Sequence, residues 1–357
     1  MCNLRNSYLT IFVTRDCNLS CKYCYAEKGR LRESINIDFA KAGIDDFVKR
    51  HPASKEIRFF GGGEPTLRMD IIKNLVSYAR KIVGSELKVG IQTNGAFSEN
   101  TCEWIAGNLD EVWISCDGPH EIQDLQRPFK KGVGSHKVIE RNIKYLVRAP
   151  IELGIRATIT SYSNNLQPEI VDYFHSLGIK KICADHMFGA HTERNGLKKP
   201  QPMEYAKQFL KAKMQAEALG ISYTSFLISN FDEPSSYNCR ACIPYPHLTT
   251  DGYVTNCDFA YAKGIGFDDF IYGFFDKEKK KITYHPEKLE IFRKRKVENI
   301  TGCQNCEIKF NCAGFCLGEI YDETGDIYGK IDRYCDAMKY LAKHLTLNTG
   351  YKEIRHP

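Results

Sequence analysis

No stretch of this sequence approaches the roughly 20 apolar residues that a membrane-spanning helix needs. Residues 1–16 lack a basic region leading into an apolar run and a small-residue cleavage site, so no secretory signal is visible either. Charge of one sign is scarce: 50 Lys and Arg against 44 Asp and Glu leave +6 on 357 residues. That balance requires no nucleic-acid partner, and the basic runs 277–281 and 293–296 are expected to be solvated helix faces. With 43% hydrophobic, 26% charged and 12% aromatic residues, the chain is not disordered, collagen-like or mucin-like and can bury a full core. A cytoplasmic protein without membrane or nucleic-acid partners is the expectation.

What is present in excess is cysteine, at 15 residues. An odd count leaves one thiol over if all the others pair, and disulfide scaffolds are usually short secreted domains. Metal binding is the better reading for a long chain without an export signal.

Strand-like and helix-like segments alternate through the first two thirds. Strands are expected at 8–13, 56–60, 87–92, 111–115, 154–160 and 179–183. Helices are expected at 36–50 with Asn36 as cap, then 68–83, 98–107, 135–148, 166–177 and 203–219. Six strand–helix units suit an α/β fold, a partial (β/α)6 TIM-like barrel with right-handed crossovers. The pattern fades near residue 228, and the polar, turn-rich 230–238 reads as a linker. The expected organisation is a barrel at 1–229, a small loop-rich domain at 230–345 with a last helix from 333 to 344, and a tail at 346–357.

Directly after the first strand comes Cys17-Asn-Leu-Ser-Cys21-Lys-Tyr-Cys24. Three thiolates on one loop can surround a cubane cluster and leave one iron open, since a [4Fe–4S] cluster normally takes four cysteines. A three-thiolate zinc site or reactive thiols are the alternatives on spacing alone. The second strand ends in Gly61-Gly62-Gly63-Glu64-Pro65-Thr66, where glycines admit a ligand to the backbone and Glu64 can meet an ammonium group. The Gly-Lys-Ser/Thr ending of a phosphate loop is missing.

This combination resembles the radical S-adenosylmethionine (SAM) superfamily, whose hallmarks are the Cx3Cx2C loop with an aromatic before its last cysteine, here Tyr23, and Gly-Gly-Glu-Pro after the second strand. The resemblance covers residues 7–220. It implies that the SAM amine and carboxylate chelate the open iron, and that a 5′-deoxyadenosyl radical then takes a hydrogen atom from substrate. It also implies that Gly62, Gly63 and Pro65 flank the methionyl part, with Glu64 near its amine. Tyr23 meets adenine through its backbone, Ser115 the ribose, Arg127 the carboxylate, and Phe188 or Met187 packs on adenine. Gln92-Thr93-Asn94-Gly95 is either site lining or a turn.

The C-terminal third holds Cys239-x2-Cys242, Cys257, Cys303-x2-Cys306-x5-Cys312-x3-Cys316 and Cys335. Paired CxxC units also build zinc ribbons. The pattern resembles the SPASM extension of radical SAM enzymes, with Cys239 as an eighth thiol. The resemblance implies two auxiliary [4Fe–4S] clusters, three in all. Cys242, Cys257, Cys316 and Cys239 hold the near one, and Cys303, Cys306, Cys312 and Cys335 the distal one. Cys239 lies closer to Cys242 than in the anaerobic sulfatase-maturating enzymes, so the near cluster might instead keep an open iron. Cys2, Cys102, Cys116 and Cys183 are expected to be buried structural thiols, and His186 and His191 to have local packing or turn roles.

Cys257-Asp258-Phe259 resembles the same maturases, where the aspartate is the proposed general base; locally, Asp258 could equally cap backbone donors. The leading expectation is an enzyme oxidising a peptide or protein side chain to an aldehyde, supplied with electrons by a donor such as flavodoxin or ferredoxin. Ribosomal-peptide maturation by a thioether, C–C or C–O cross-link or by epimerisation is the alternative. Only about seven residues precede the first strand, which leaves no room for a leader-binding domain and favours the first branch. A non-catalytic iron–sulfur electron carrier is the reading from another class.

Overall fold

A computed structural model describes residues 8–189, 193, 196–243 and 245–345. Cys2, His191 and the tail 346–357 lie outside them.

β1 (Leu9–Phe12) is buried at every position, the run that a strand covered on both faces requires. It is followed by α1 (Ile37–Arg50), which begins at Asn36: the side-chain oxygen accepts the Phe39 N–H at 3.0 Å. β2 (Glu56–Phe60), α2 (Met69–Val83), β3 (Lys88–Thr93), α3 (Glu99–Asn108) and β4 (Glu111–Ser115) continue the alternation. Two helices, α4 (His120–Gln126) and α5 (His136–Leu146), separate β4 from β5 (Glu152–Ile159). Then come α6 (Gln167–Ser176), β6 (Lys181–His186), α7 (Pro202–Ala218) and a short β7 (Ser222–Thr224). Neighbouring strands from β1 to β7 pair in parallel and in chain order. The expected strands and long helices are present; α4 and β7 are additions. Leu9, Ile11, Ile57, Phe59, Ile114 and Ile155 from the strands join Phe39, Ile72, Ile143 and Phe174 from the helices in one apolar core.

The C-terminal third is less loop-like than expected and does not stand apart. β8 (His247–Leu248) pairs in parallel with β1, placing His247 opposite Thr10. β9 (Tyr253–Thr255), β10 (Ile271–Asp276) and β11 (Lys281–Tyr284) add antiparallel strands, giving one sheet of 11. The helices α8 (Pro286–Arg293), α9 (Lys309–Cys312), α10 (Leu317–Thr324) and α11 (Asp332–His344) follow, and α11 lies against α7.

Two expectations are corrected. Residues 230–238 are not a solvated linker: Asn230, Ser235, Ser236 and Asn238 are buried. Ser235 N–H reaches the Phe310 carbonyl at 2.8 Å, and Asn238 Nδ2 reaches that of Cys312 at 3.0 Å. Polar residues here satisfy buried backbone groups, which composition does not distinguish from a loop. The basic run 293–296 is likewise not a solvated face throughout, because Arg295 is fully buried.

Candidate functional site

The C-terminal ends of β1 to β6 open on a cavity of about 340 Å³, closed on its far side by the cysteine-rich region. Cys17, Cys21 and Cys24 enter it from the loop after β1. The Cys24 N–H bonds the Cys21 carbonyl at 3.2 Å, so the CxxC closes a turn that brings both thiols to one side. Without metal these thiols are neutral: burial pushes Cys17 up and Cys21 to about 12. Arg30 Nη2 donates to Cys24 Sγ at 3.1 Å and Asn94 Nδ2 to Cys17 Sγ at 3.8 Å.

The glycine run after β2 is dictated by close approach. A Cβ on Gly63 would stand 2.0 Å from the Asp16 carbonyl oxygen, and Gly61 has φ +115°. Glu64 N–H bonds that same Asp16 oxygen at 2.7 Å, clamping the glycine loop to the thiol loop. The Glu64 carboxylate is buried. Its Oε1 accepts from Thr66 N–H (3.0 Å), Thr66 Oγ1 (2.6 Å) and Thr93 Oγ1 (2.6 Å), and its Oε2 from Asn94 N–H (2.7 Å). Burial raises its pKa and these bonds oppose the rise. Thr93 and Asn94 therefore line the site rather than merely turning the chain. Pro65 opens the short turn before α2 and is buried.

Arg127 and Tyr23 meet across the loop: Arg127 Nη1 donates to the Tyr23 hydroxyl at 2.7 Å, and that hydroxyl donates to Asp117 Oδ2 at 2.6 Å. Gln126 and the Thr158 N–H also hold the fully buried Asp117, at 2.7 and 3.0 Å. Ser115 and Phe188 line the cavity, and Phe188 stands near Phe226 and Phe259 with ring centroids 5.9 and 6.3 Å away.

On the far side, Cys239, Cys242 and Cys257 share one small buried cluster of side chains. Cys316 acts electrostatically on Cys242 and Cys257 and completes the set of four. The Cys242 N–H bonds the Cys239 carbonyl at 3.2 Å, and Cys239 and Cys242 share a hydrogen bond that raises the first thiol and lowers the second. Cys303, Cys306, Cys312 and Cys335 form a second neighbourhood, each influencing another of the set. No group of three or more His, Cys, Asp or Glu among the described residues closes around a single ion. Cys102, Cys116 and Cys183 are buried, as expected of structural thiols, although Cys183 also borders the cavity.

Asp258, next to Cys257, faces the cavity: it lies deep in the protein, yet 47% of its side chain is open to that space. Its Oδ1 lies 3.1 Å from His247 Nε2, and His247 Nδ1 lies 3.1 Å from the Tyr245 carbonyl oxygen. Burial pushes the Asp258 pKa up, but the His247 bond and the charges of His247, Arg240 and Arg156 outweigh it and hold the carboxyl below its usual range.

Residues 11–164 match the model of the radical SAM superfamily. The barrel is a radical SAM domain. The whole chain is 25% identical over 349 residues to the cysteine-type anaerobic sulfatase-maturating enzyme of Clostridium perfringens, covering 90% of this chain and 91% of that protein. The structure of native anSMEcpe with bound AdoMet and Cp18Cys peptide has the same fold. Its TM-score is 0.77 at 22% identity, covering 94% of this chain and 96% of that one. Streptococcus suis SuiB bound to precursor peptide SuiA matches with TM-score 0.64 at 18% identity over 92% of this chain and 76% of that one.

A radical SAM domain works with SAM and a [4Fe–4S] cluster, and the residues present fit both. Three buried thiols with cationic and amide donors beside them suit a cluster whose fourth iron is left for a ligand. Arg127, lining the same cavity, has a buried Nε without a partner among the described residues, as expected where an anionic group binds. Sequence reasoning missed Asn94, Asp117, Arg30 and His247. Asn94 and Asp117 follow strands whose ends were already implicated, so position alone pointed to them. His247 had no such signal, because its two-residue strand is set by pairing with β1. No described helix is long and apolar enough to cross a membrane.

Proposed function

We propose that this protein is a radical SAM enzyme that oxidises a side chain of a peptide or protein substrate, converting a Cys or Ser to formylglycine as in anaerobic sulfatase maturation. The observation that carries the reading is a single cavity with the three-thiol loop and Gly62-Gly63-Glu64 on one wall and Cys257-Asp258 on the other. Bound SAM and its cluster supply a carbon radical that removes one hydrogen atom; the oxidation then needs one proton and one electron removed.

The chain's own groups answer the remaining needs. Gly62, Gly63, Ser115 and Arg127 bind SAM, and Glu64 fixes the glycine and β3 loops around it. Phe188 borders the adenine site and, with Phe226 and Phe259, keeps water from the reacting carbon. Asp258 takes the proton: His247 occupies Oδ1, and Oδ2 has no bonded partner among the described residues. Cys239, Cys242, Cys257 and Cys316 hold a near auxiliary cluster, and Cys303, Cys306, Cys312 and Cys335 a distal one. Thiols that gather without closing on one point suit a cubane better than zinc. The electron leaves toward these clusters and finally to a cytoplasmic carrier such as flavodoxin or ferredoxin.

The test is anaerobic reconstitution with iron and sulfide, then SAM, reductant and a Cys- or Ser-containing sulfatase peptide. Formation of 5′-deoxyadenosine together with an aldehyde-bearing peptide is expected. Absence of 5′-deoxyadenosine under strong reductant overturns the enzyme reading. A cross-linked or epimerised peptide as the sole product overturns the formylglycine assignment.

A further inference from the structure

Arg295 has the largest fully buried side chain among the described residues, at 0% exposure. It belongs to a run of basic residues, and nothing in that run foretells burial. Its guanidinium donates from Nε to the Ile327 carbonyl, from Nη2 to the Gly314 carbonyl at 2.9 Å, and from Nη1 to Cys242 Sγ at 3.9 Å. Among the described residues no carboxylate forms an ion pair with it. Two carbonyls satisfy hydrogen bonds but do not neutralise a charge, and an uncompensated buried cation costs several kcal/mol.

The anions within reach are thiols. Gly314, which accepts from Arg295, sits between Cys312 of the distal set and Cys316 of the near set. Cys242 of the near set is bonded directly. The cation thus stands where the two four-thiol sites adjoin, with its single sulfur contact on the near side.

We propose that Arg295 is the built-in counter-cation of the near auxiliary site and raises the reduction potential of the cluster held there. The inference rests on the auxiliary-cluster reading given above and deepens it. A fixed positive charge and an N–H bond to a ligand sulfur both stabilise the more negative, reduced form of an iron–sulfur cluster. In the oxidation the substrate-centred radical loses one electron as Asp258 takes its proton, and the near cluster gains that electron. Arg295 favours this direction without touching substrate. It is a positioning and tuning residue, not a catalytic one.

The test uses the full chain and two variants, Arg295→Met, which removes the charge, and Arg295→Lys, which keeps it. Iron and sulfide are counted after anaerobic reconstitution, and the auxiliary clusters are titrated with redox mediators under electron paramagnetic resonance. If the unaltered chain holds only the SAM-binding cluster, the auxiliary-cluster reading itself falls, and this proposal with it. Where the chain holds all three, Arg295→Met should disfavour reduction of the near cluster at least about tenfold, which is about 59 mV for one electron. Arg295→Lys should recover part of that shift. Loss of near-site iron from the Met variant with retention in the Lys variant also supports the counter-cation role. Unchanged potentials in a fully loaded Arg295→Met chain overturn it while leaving the clusters intact. So does equal loss of iron from both variants, which would assign Arg295 to packing alone.

Discussion

The two walls of the cavity hold their shapes by different means. The barrel wall stands on one large apolar core to which every strand from β1 to β7 contributes. The opposite wall rests on a cluster of nine buried side chains, three of them cysteines, and on buried ions: Arg240, Arg295 and Glu319. Its backbone also adopts costly conformations, with Ala313 and Phe315 at φ 48° and 64° on either side of Gly314. Each such non-glycine residue costs about 1–3 kcal/mol. A region with little apolar core, buried charges and a left-handed run is one whose stability is completed by metal, as small metal-bound domains show. The carboxylates divide in the same way. Glu64, on the barrel wall, spends its lone pairs on four donors that fix loops. Asp258, opposite, keeps one oxygen for chemistry.

This contrast can be broken most decisively at the thiol loop. Replacing Cys17, Cys21 and Cys24 together with alanine should abolish 5′-deoxyadenosine formation while leaving about eight iron atoms per chain; loss of all iron would show that the walls are not independent. Next in size is the buried charge cluster that ties the far wall to the barrel. Glu319 is fully buried and held by His186 Nε2 at 3.1 Å, Lys199 Nζ at 3.0 Å and the Tyr334 hydroxyl at 2.8 Å. His186 and Lys199 hold its carboxyl down at about 2 against the pull of burial. Lys199→Met should cost about 3 kcal/mol in denaturant unfolding of the loaded protein; a change within error would mean that His186 alone carries the pair.

Asp258→Asn sharpens the comparison from the chemical side. It should lower peptide product by about 100-fold or more while SAM cleavage continues, read by chromatography and mass spectrometry. Full turnover would remove Asp258 from catalysis. The smallest effect is expected from Glu64→Gln, which sets an amide donor against the Asn94 N–H. A loss of about 1–2 kcal/mol and weaker SAM binding should follow, seen in melting and in equilibrium binding.

The barrel was legible because each of its elements announces itself locally: Asn36 caps α1, apolar runs mark β1 and β2, and long periodic helices lie between. The thiols were legible by spacing, since CxxC units close turns wherever they occur. β8 was not, because two residues carry no period and acquire strand geometry only by lying beside β1. Arg295 was illegible for the opposite reason: its neighbours Lys294 and Lys296 give the run a solvated look. Polar composition likewise disguised the buried segment around Ser235 and Asn238.

The pairing of β8 with β1 has one more consequence. In a sheet of β1 to β7 alone, β1 would be an edge, presenting a row of unbonded N–H and C=O groups beside the loop that carries three thiols. Here the Thr10 N–H is taken by the Pro246 carbonyl at 3.0 Å, and β8 covers that side. Severing the chain after residue 229 would therefore bare a ready template for another strand. The part of the molecule that looks most self-sufficient is the part most prone to aggregate when left alone.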